Sequence, residues 1–337
     1  MSNKKKNDVP DNQVPYDSVR PFAQGGTAED YCQYLKESGQ PCHLSRNGDV
    51  WFQNSGGELL RFPLPDNLTP PDAQEINNVL KHKRVYIASY ICEPTGDRPP
   101  NAYLYVCRDS EYDISKQKKN ARRDIRKGMR NFQIRLCTWD EIIEKGYAAE
   151  VDTQKRHGFV SPSKNEHAKS IQRLQYKDIF EIWGAWSGHN VASWILLCKI
   201  NDSAEIMKFR SCTDYLVQEP NISLLYCLTK HMLVEEKRLW TCTGLSSIYE
   251  GTRIGLHRFK LRSGYEAIPV RREFVAVSAL KPLMKCRAFS WCVEKATHIF
   301  PKYPLLRKVN GLLRLTSGRE KDPLAWAQQD DKREVAK

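Results

Sequence analysis

Four cations, Arg253, Arg258, Lys260 and Arg262, fall within about two helical turns of the stretch 250–267, EGTRIGLHRFKLRSGYEA. A guanidinium binds phosphate or carboxylate through two parallel hydrogen bonds, so Arg258 is a candidate clamp for an anionic ligand. Arg210, in a strand candidate at 205–213, is a second. Ordinary ion pairs are the alternative for both. Tyr265 offers a phenolic donor to the same region, or simply a core aromatic. A larger charge concentration lies upstream, where 116–130 holds eight Lys/Arg and one acid, Asp124. Left unpaired, such a run repels itself by about a few tenths of a kcal/mol per like-charged pair. An anionic ligand would relieve it, and so would acids elsewhere on the surface. No GxSxG elbow occurs, no spacing supports a Cys–His nucleophile, and no His/Cys set has metal-ligand spacing, so no metal is expected.

These residues need elements to hold them. An acid at Glu250 favours a helix start, and Gly264 suits a left-handed helix end. Ile254, Leu256, Phe259 and Leu261 are the expected buried side of that helix. Behind it, 267–277 alternates as a strand, with Ile268, Val270, Phe274 and Ala276 on one face and charges mostly on the other. In the basic run, Ala121, Ile125, Met129 and Phe132 recur every three or four residues, so one narrow side packs while the rest is cationic. Thr27 caps a helix over 28–37. A meander is expected at 41–63, a helix at 71–83, and strands at 85–92 and 102–107. Then come a helix over 139–158, a second to Tyr176, and strands at 180–186 and 191–200 joined by a hairpin loop. A helix at 223–237 and a strand at 239–243 complete the set.

The balance of 53 Lys/Arg against 40 Asp/Glu gives a net charge of +13 and favours anionic partners: nucleic acid, phosphate-bearing substrates or an acidic membrane face. Eleven cysteines occur without a CxxC pair. Their odd number and apolar surroundings suit free thiols in a reducing cytoplasm. The longest apolar run, 194–198, is far below the roughly 20 residues that span a bilayer. Residues 281–314 carry eight Lys/Arg and one acid among apolar residues. Such a segment either lies on an anionic membrane, at the inner face, or packs back on the domain.

GLHRFKLRSGYEAI followed by RREF resembles the GLY-RFK-xxFG segment of the Fem family, non-ribosomal peptidyl transferases that use aminoacyl-tRNA to extend peptidoglycan precursors. Gly255, Leu256, Arg258, Phe259, Lys260 and Gly264 match; His257 replaces the usual Tyr, and Tyr265 follows the Gly without the usual preceding Phe. The resemblance implies that Phe259 and Lys260 lie at the acyl-transfer centre. YDISKQKKNARRDIRKGMRNFQIRL resembles a second Fem-type segment in Ser115, Arg122, Ile125, Arg126 and Lys127, with Gly128 where the family often has Ala. Arg122, Arg126 and Lys127 are thereby candidates for binding substrate or phosphate.

The resemblance also implies the GNAT-type acyltransferase fold, a mixed central sheet flanked by helices. The order α-α-β-β-β-α-β-α-β after residue 137 agrees with it. The expected organisation is a tail at 1–26, a shortened N-terminal GNAT-like domain at 27–136 that includes the basic helix 113–132, and a complete one at 137–279. A basic helical segment at 280–319 and a tail at 320–337 follow. Acyl transfer to an amine needs a neutral amine, a nearby donor carbonyl and a stabilised oxyanion, but no covalent nucleophile. The donor is acyl-CoA or aminoacyl-tRNA, with no tightly bound cofactor. DYLVQEPNI at 214–222 lacks the Gly-rich turn that holds CoA pyrophosphate, which counts against CoA. The alternatives are a non-catalytic nucleic-acid-binding protein using the basic helix, and a membrane-peripheral protein using 281–314.

Overall fold

The computed structural model describes residues 22–54, 58–65, 68–81, 85–175, 177–247, 253–300 and 303–316, together with 324, 325 and 327. The expected tails lie almost wholly outside the described residues, as do the turn at 55–57 and the helix start at Glu250.

Eleven strands form one sheet, and helices cover both faces. The elements run α1 (Ala28–Glu37), β1 (Cys42–Leu44), β2 (Val50–Asn54), β3 (Glu58–Phe62), α2 (Ala73–Leu80), β4 (Ile87–Cys92), β5 (Ala102–Cys107), α3 (Lys119–Asn131) and β6 (Gln133–Leu136). Then follow α4 (Trp139–Lys145), α5 (Tyr147–His157), α6 (Lys164–Gln172), β7 (Phe180–Ser187), β8 (Asn190–Ile200) and β9 (Ser203–Ser211). The chain continues with α7 (Pro220–Lys230), β10 (Trp240–Leu245), α8 (Arg253–Arg262), β11 (Glu266–Ala276), α9 (Lys281–Lys285), α10 (Arg287–Ile299) and α11 (Pro304–Thr316). The strand order is β1-β2-β3-β4-β11-β5-β10-β9-β8-β7-β6. β5 sits between β10 and β11, and β6 pairs with β7 at the far edge, so strands on both sides of residue 137 share the sheet.

Local chemistry sets the helix starts. Thr27, Thr138 and Ser163 each accept from the third helical N–H, while Asp30, Glu141 and Glu166 return a bond to the cap backbone. The single helix expected over 139–158 is two. They meet at Gly146, whose carbonyl accepts the Trp194 indole N–H at 3.0 Å besides the Glu150 N–H at 3.2 Å. A Cβ there would stand 2.7 Å from the Ile142 carbonyl.

The long apolar runs of β7 and β8 reflect burial on both faces. Trp183, Ala185, Ile195 and Leu197 pack with Ala121 and Ile125 of α3 and with α7 on one side. Ile182, Trp194, Leu196 and Cys198 pack with α1, α4 and α6 on the other. Close approach shapes the first layer, since a Cβ on Gly128 would collide with the Glu219 carbonyl and the Ser223 hydroxyl of α7. That contact explains glycine rather than alanine at this position. In β11, Arg272 lies on the same side as Val270 and Ala276, and all three are buried. The expectation of charges on the outer face therefore fails at Arg272, where the Glu58 carboxylate at 3.0 Å compensates the charge.

Candidate functional site

β9 and β10 are parallel neighbours, yet they pair over only three positions, ending at Cys242 opposite Glu205. Both strands bulge where they part. In β9, Leu196 opposes Lys208 and Leu197 opposes Ile206, so Met207 is the extra residue. In β10 the register with β5 shifts between Cys242 and Leu245, around Gly244 at φ +76°. The gap opens a cleft of about 450 Å³ walled by Glu205, Ile206 and Met207 on one side and Gly244 and Leu245 on the other. Phe52, Glu58, Leu60 and Phe62 from β2 and β3, with Phe159, Arg272 and Lys308, complete it.

Its charged groups are organised. Glu205 is 2% exposed and accepts the Leu64 N–H at 3.1 Å. Glu58 receives Arg272 at 3.0 Å and Lys308 at 3.2 Å on separate carboxylate oxygens. Beneath Glu205, burial pushes the Cys242 thiol well above its ordinary range, and the carboxylate adds to that. Among the described residues no group of three His, Cys, Asp or Glu could hold a metal ion.

α8 covers the opposite face of the sheet, and its buried side is not the one its apolar residues suggested. Ile254 and Leu256 are exposed, whereas His257 and Lys260 turn inward. His257 Nδ1 meets the Tyr105 hydroxyl at 2.8 Å. The Lys260 ammonium lies 4.1 Å from the centre of the Tyr105 ring and donates to the carbonyls of Thr243 at 2.8 Å and Leu245 at 3.4 Å. These carbonyls flank Gly244, so Lys260 grips the β10 bulge from behind the cleft wall. It is 5% exposed, and burial lowers its pKa from 10.5 to about 7. Phe259 packs edge-on against Phe209 of β9, with ring centres 6.0 Å apart. The Phe–Lys pair thus bridges the two strands that separate.

The other candidates disperse. Tyr265 is a core residue whose hydroxyl bonds Thr229 at 2.8 Å, and burial drives its pKa up. Arg210 pairs with Glu150 at 2.8 Å, and Arg258 is exposed on α8. Neither lines the cleft. On α3, Arg122 donates to the Ser115 carbonyl at 3.2 Å and Lys127 to the Val217 carbonyl at 2.7 Å, while Arg126 is exposed. Asp124, the one acid of this run, is buried; its Oδ2 takes Arg262 at 3.2 Å, and Arg262 also reaches Glu219 at 3.3 Å. The first turn of α7 is thereby overlaid by α3 and tied to α8.

Glu205, Glu58, Arg272 and Asp124 were not singled out from the sequence. Two carried a signal: Arg272 shares the parity of Ile268 and Val270 on an alternating strand, and Asp124 is the sole acid in a cationic helix. Glu58 and Glu205 reach the cleft through strand pairing between distant segments, which no local pattern encodes.

No family model and no curated protein matches the sequence. Solved structures do match. FemX aligns with a TM-score of 0.50 at 10% identity, over 74% of this chain and 91% of that one. L-PGS from Bacillus licheniformis aligns at 0.47 and 13% identity, over 74% and 92%. The C-terminal domain of a putative lysylphosphatidylglycerol synthetase from Agrobacterium fabrum aligns at 0.46 and 12%, over 74% and 88%. The first of these shows the fold: the chain, a mixed sheet flanked by helices, has a Fem-type, GNAT-like fold.

Proposed function

We propose that this protein is an N-acyltransferase that moves an acyl or aminoacyl group to an amine in the cleft between β9 and β10. The carrying observation is the parting of these strands with Glu205 on the cleft side and the Phe259–Lys260 pair gripping both strands from behind. Past Glu205, β9 has no paired strand on the β10 side among the described residues, so its backbone can hydrogen-bond an extended donor or acceptor there. The amine nitrogen attacks the donor carbonyl carbon, Glu205 takes the amine proton, and as the C–O or C–S bond breaks Glu205 returns that proton to the leaving oxygen or sulfur. Lys260 acts at one remove: it fixes the Gly244 wall and sets a positive charge behind the site of the developing oxyanion. The Glu205 carboxylate, apart from the Glu58 carboxylate that Arg272 and Lys308 occupy, suits an amine acceptor.

An aminoacyl-tRNA donor is favoured over acyl-CoA. The first turn of α7, where a CoA pyrophosphate would need open backbone N–H groups, is overlaid by α3 and carries Glu219. The cations of α3, with Arg126 outermost among the three candidates, suit a polyanion, and the acceptor is read as an amine of a cell-envelope precursor. The test is transfer by the purified protein from charged tRNA and, separately, from acyl-CoAs to amine acceptors, followed by product mass. Transfer from tRNA alone is expected. Transfer from acyl-CoA alone overturns the donor assignment, and salt-sensitive RNA binding without transfer from any donor overturns the enzyme.

A further inference from the structure

The α10–α11 hairpin packs on the body from one side. Ser290 and Val293 of α10 and Leu313 and Leu315 of α11 are buried, and Lys308 anchors the hairpin to Glu58 of β3 at 3.2 Å. On α10, Ala288, Trp291, Lys295 and Ile299 are exposed at spacings of three and four, a single outward stripe. Phe300, Tyr303 and Leu305, at the end of α10 and the start of α11, are exposed as well. Exposure is 57% at Trp291, 69% at Ile299, 58% at Phe300, 60% at Tyr303 and 58% at Leu305. Large apolar side chains left open singly are ordinary, but five along one hairpin form a patch that needs a partner.

Charge identifies the partner. The segment 281–314 holds eight Lys/Arg and only Glu294 as an acid. Lys281, Lys285 and Lys295 are exposed, and the Lys295 ammonium stands 5.8 Å from the Trp291 ring. We propose that this hairpin docks the protein on an anionic lipid bilayer, with the five apolar residues among the headgroups and the lysines on lipid phosphates. Trp and Tyr prefer that interface because one end of each is apolar and the other polar. A second copy of this face would set lysine against lysine. A nucleic acid would leave Ile299 and Leu305 uncovered, since neither has a face on which a base stacks. No helix among the described residues is long and apolar enough to cross a membrane, so the hairpin lies on the surface.

Docking also orients the cleft. Lys308 is one turn beyond Leu305, about 5 Å along the axis, and Lys308 lines the cleft. A bilayer-borne amine is thereby presented to Glu205; this last step rests on the acyl-transfer reading, whereas docking does not.

The test is flotation of the full chain with vesicles of pure phosphatidylcholine and of a phosphatidylcholine–phosphatidylglycerol mixture. The protein should float with the mixed vesicles and not with the pure ones. The pair Ile299→Glu and Phe300→Glu should weaken binding about tenfold or more, with an unchanged melting temperature because both side chains face solvent. Lys285→Gln and Lys295→Gln should each weaken it about fivefold, and added salt should mimic them. Absence of flotation with the mixed vesicles, or equal flotation by the Glu pair, overturns the proposal. So does a dimer or RNA complex that the Glu pair abolishes while vesicle binding persists. Flotation without transfer to any acceptor sinks the enzymatic reading and leaves docking standing.

Discussion

Replacing Lys260 with Met asks whether the protein keeps a buried charge at a cost in stability. Burial takes the ammonium from 10.5 down to about 7. The folded value lies below the unfolded one, so between about 7 and 10.5 the unfolded chain binds more protons and wild-type stability rises with pH. The slope from this group is about 1.4 kcal/mol per pH unit. Below that window the penalty is full; above it the penalty is gone. Near neutral pH it is on the order of 4 kcal/mol. Met, uncharged and of similar length, escapes it but strands the Thr243 and Leu245 carbonyls, at about 1–3 kcal/mol, and forfeits about 1 kcal/mol of attraction to the Tyr105 ring. Lys260→Met should therefore equal or modestly exceed wild type in stability near neutral pH and fall behind it near pH ~10, as the lysine's own penalty vanishes. Acyl transfer should drop by about tenfold, less than the roughly hundredfold of a donor that touches the oxyanion, because Lys260 acts through the Gly244 wall. Denaturant unfolding across that pH range, run beside single-turnover transfer, checks both. A stability difference independent of pH refutes the buried-charge account. Wild-type turnover in Lys260→Met refutes the assigned role.

Three further outcomes follow from the same geometry. Glu205→Gln keeps an oxygen for the Leu64 N–H but loses the proton acceptor, so transfer should fall about 10²–10⁴-fold with the melting temperature unchanged; a retained pH–rate profile would remove Glu205 from the reaction. Arg272→Met leaves Glu58 buried with Lys308 alone and should cost about 3 kcal/mol, and adding Glu58→Gln should recover much of it; additive losses in the double variant would show that the pair is not coupled. Gly128→Ala drives a methyl into the Glu219 carbonyl and should cost about 1–3 kcal/mol in chemical denaturation; an unchanged midpoint would contradict the close contact of α3 with α7.

Much of the architecture was legible because its signals are local. Thr27 and the hairpin loop before β8 place elements by capping and turn chemistry, and the apolar run 194–198 marks the strand that β8 becomes. Strand adjacency was not legible. Nothing near 102–107 says that β5 lies between β10 and β11, and nothing near Glu58 says that it meets Arg272. The Gly146 junction was hidden for a related reason: Trp194, which shares its carbonyl with Glu150, is 48 residues away. The bulges that open the cleft arise from registers between strands, which no motif encodes, so the resemblance that singled out Phe259 and Lys260 did not locate the cleft walls.

α8 shows why motif and periodicity disagreed. Turning His257 and Lys260 inward while Ile254 and Leu256 stay about two-fifths exposed forgoes about 1 kcal/mol for each of the two apolar side chains. A helix chosen for stability alone would be rotated the other way. The rotation is held by the Tyr105 hydroxyl on His257, by the two bulge carbonyls on Lys260, and by Asp124 and Glu219 on Arg262. These contacts make α8, α3 and the start of α7 one polar-clamped unit. Asp124 thus ties α3 to α8 through Arg262, while Lys260 of the same helix holds the carbonyls on either side of the β10 bulge. The two basic segments, more than 100 residues apart in sequence, thereby meet in one polar cluster.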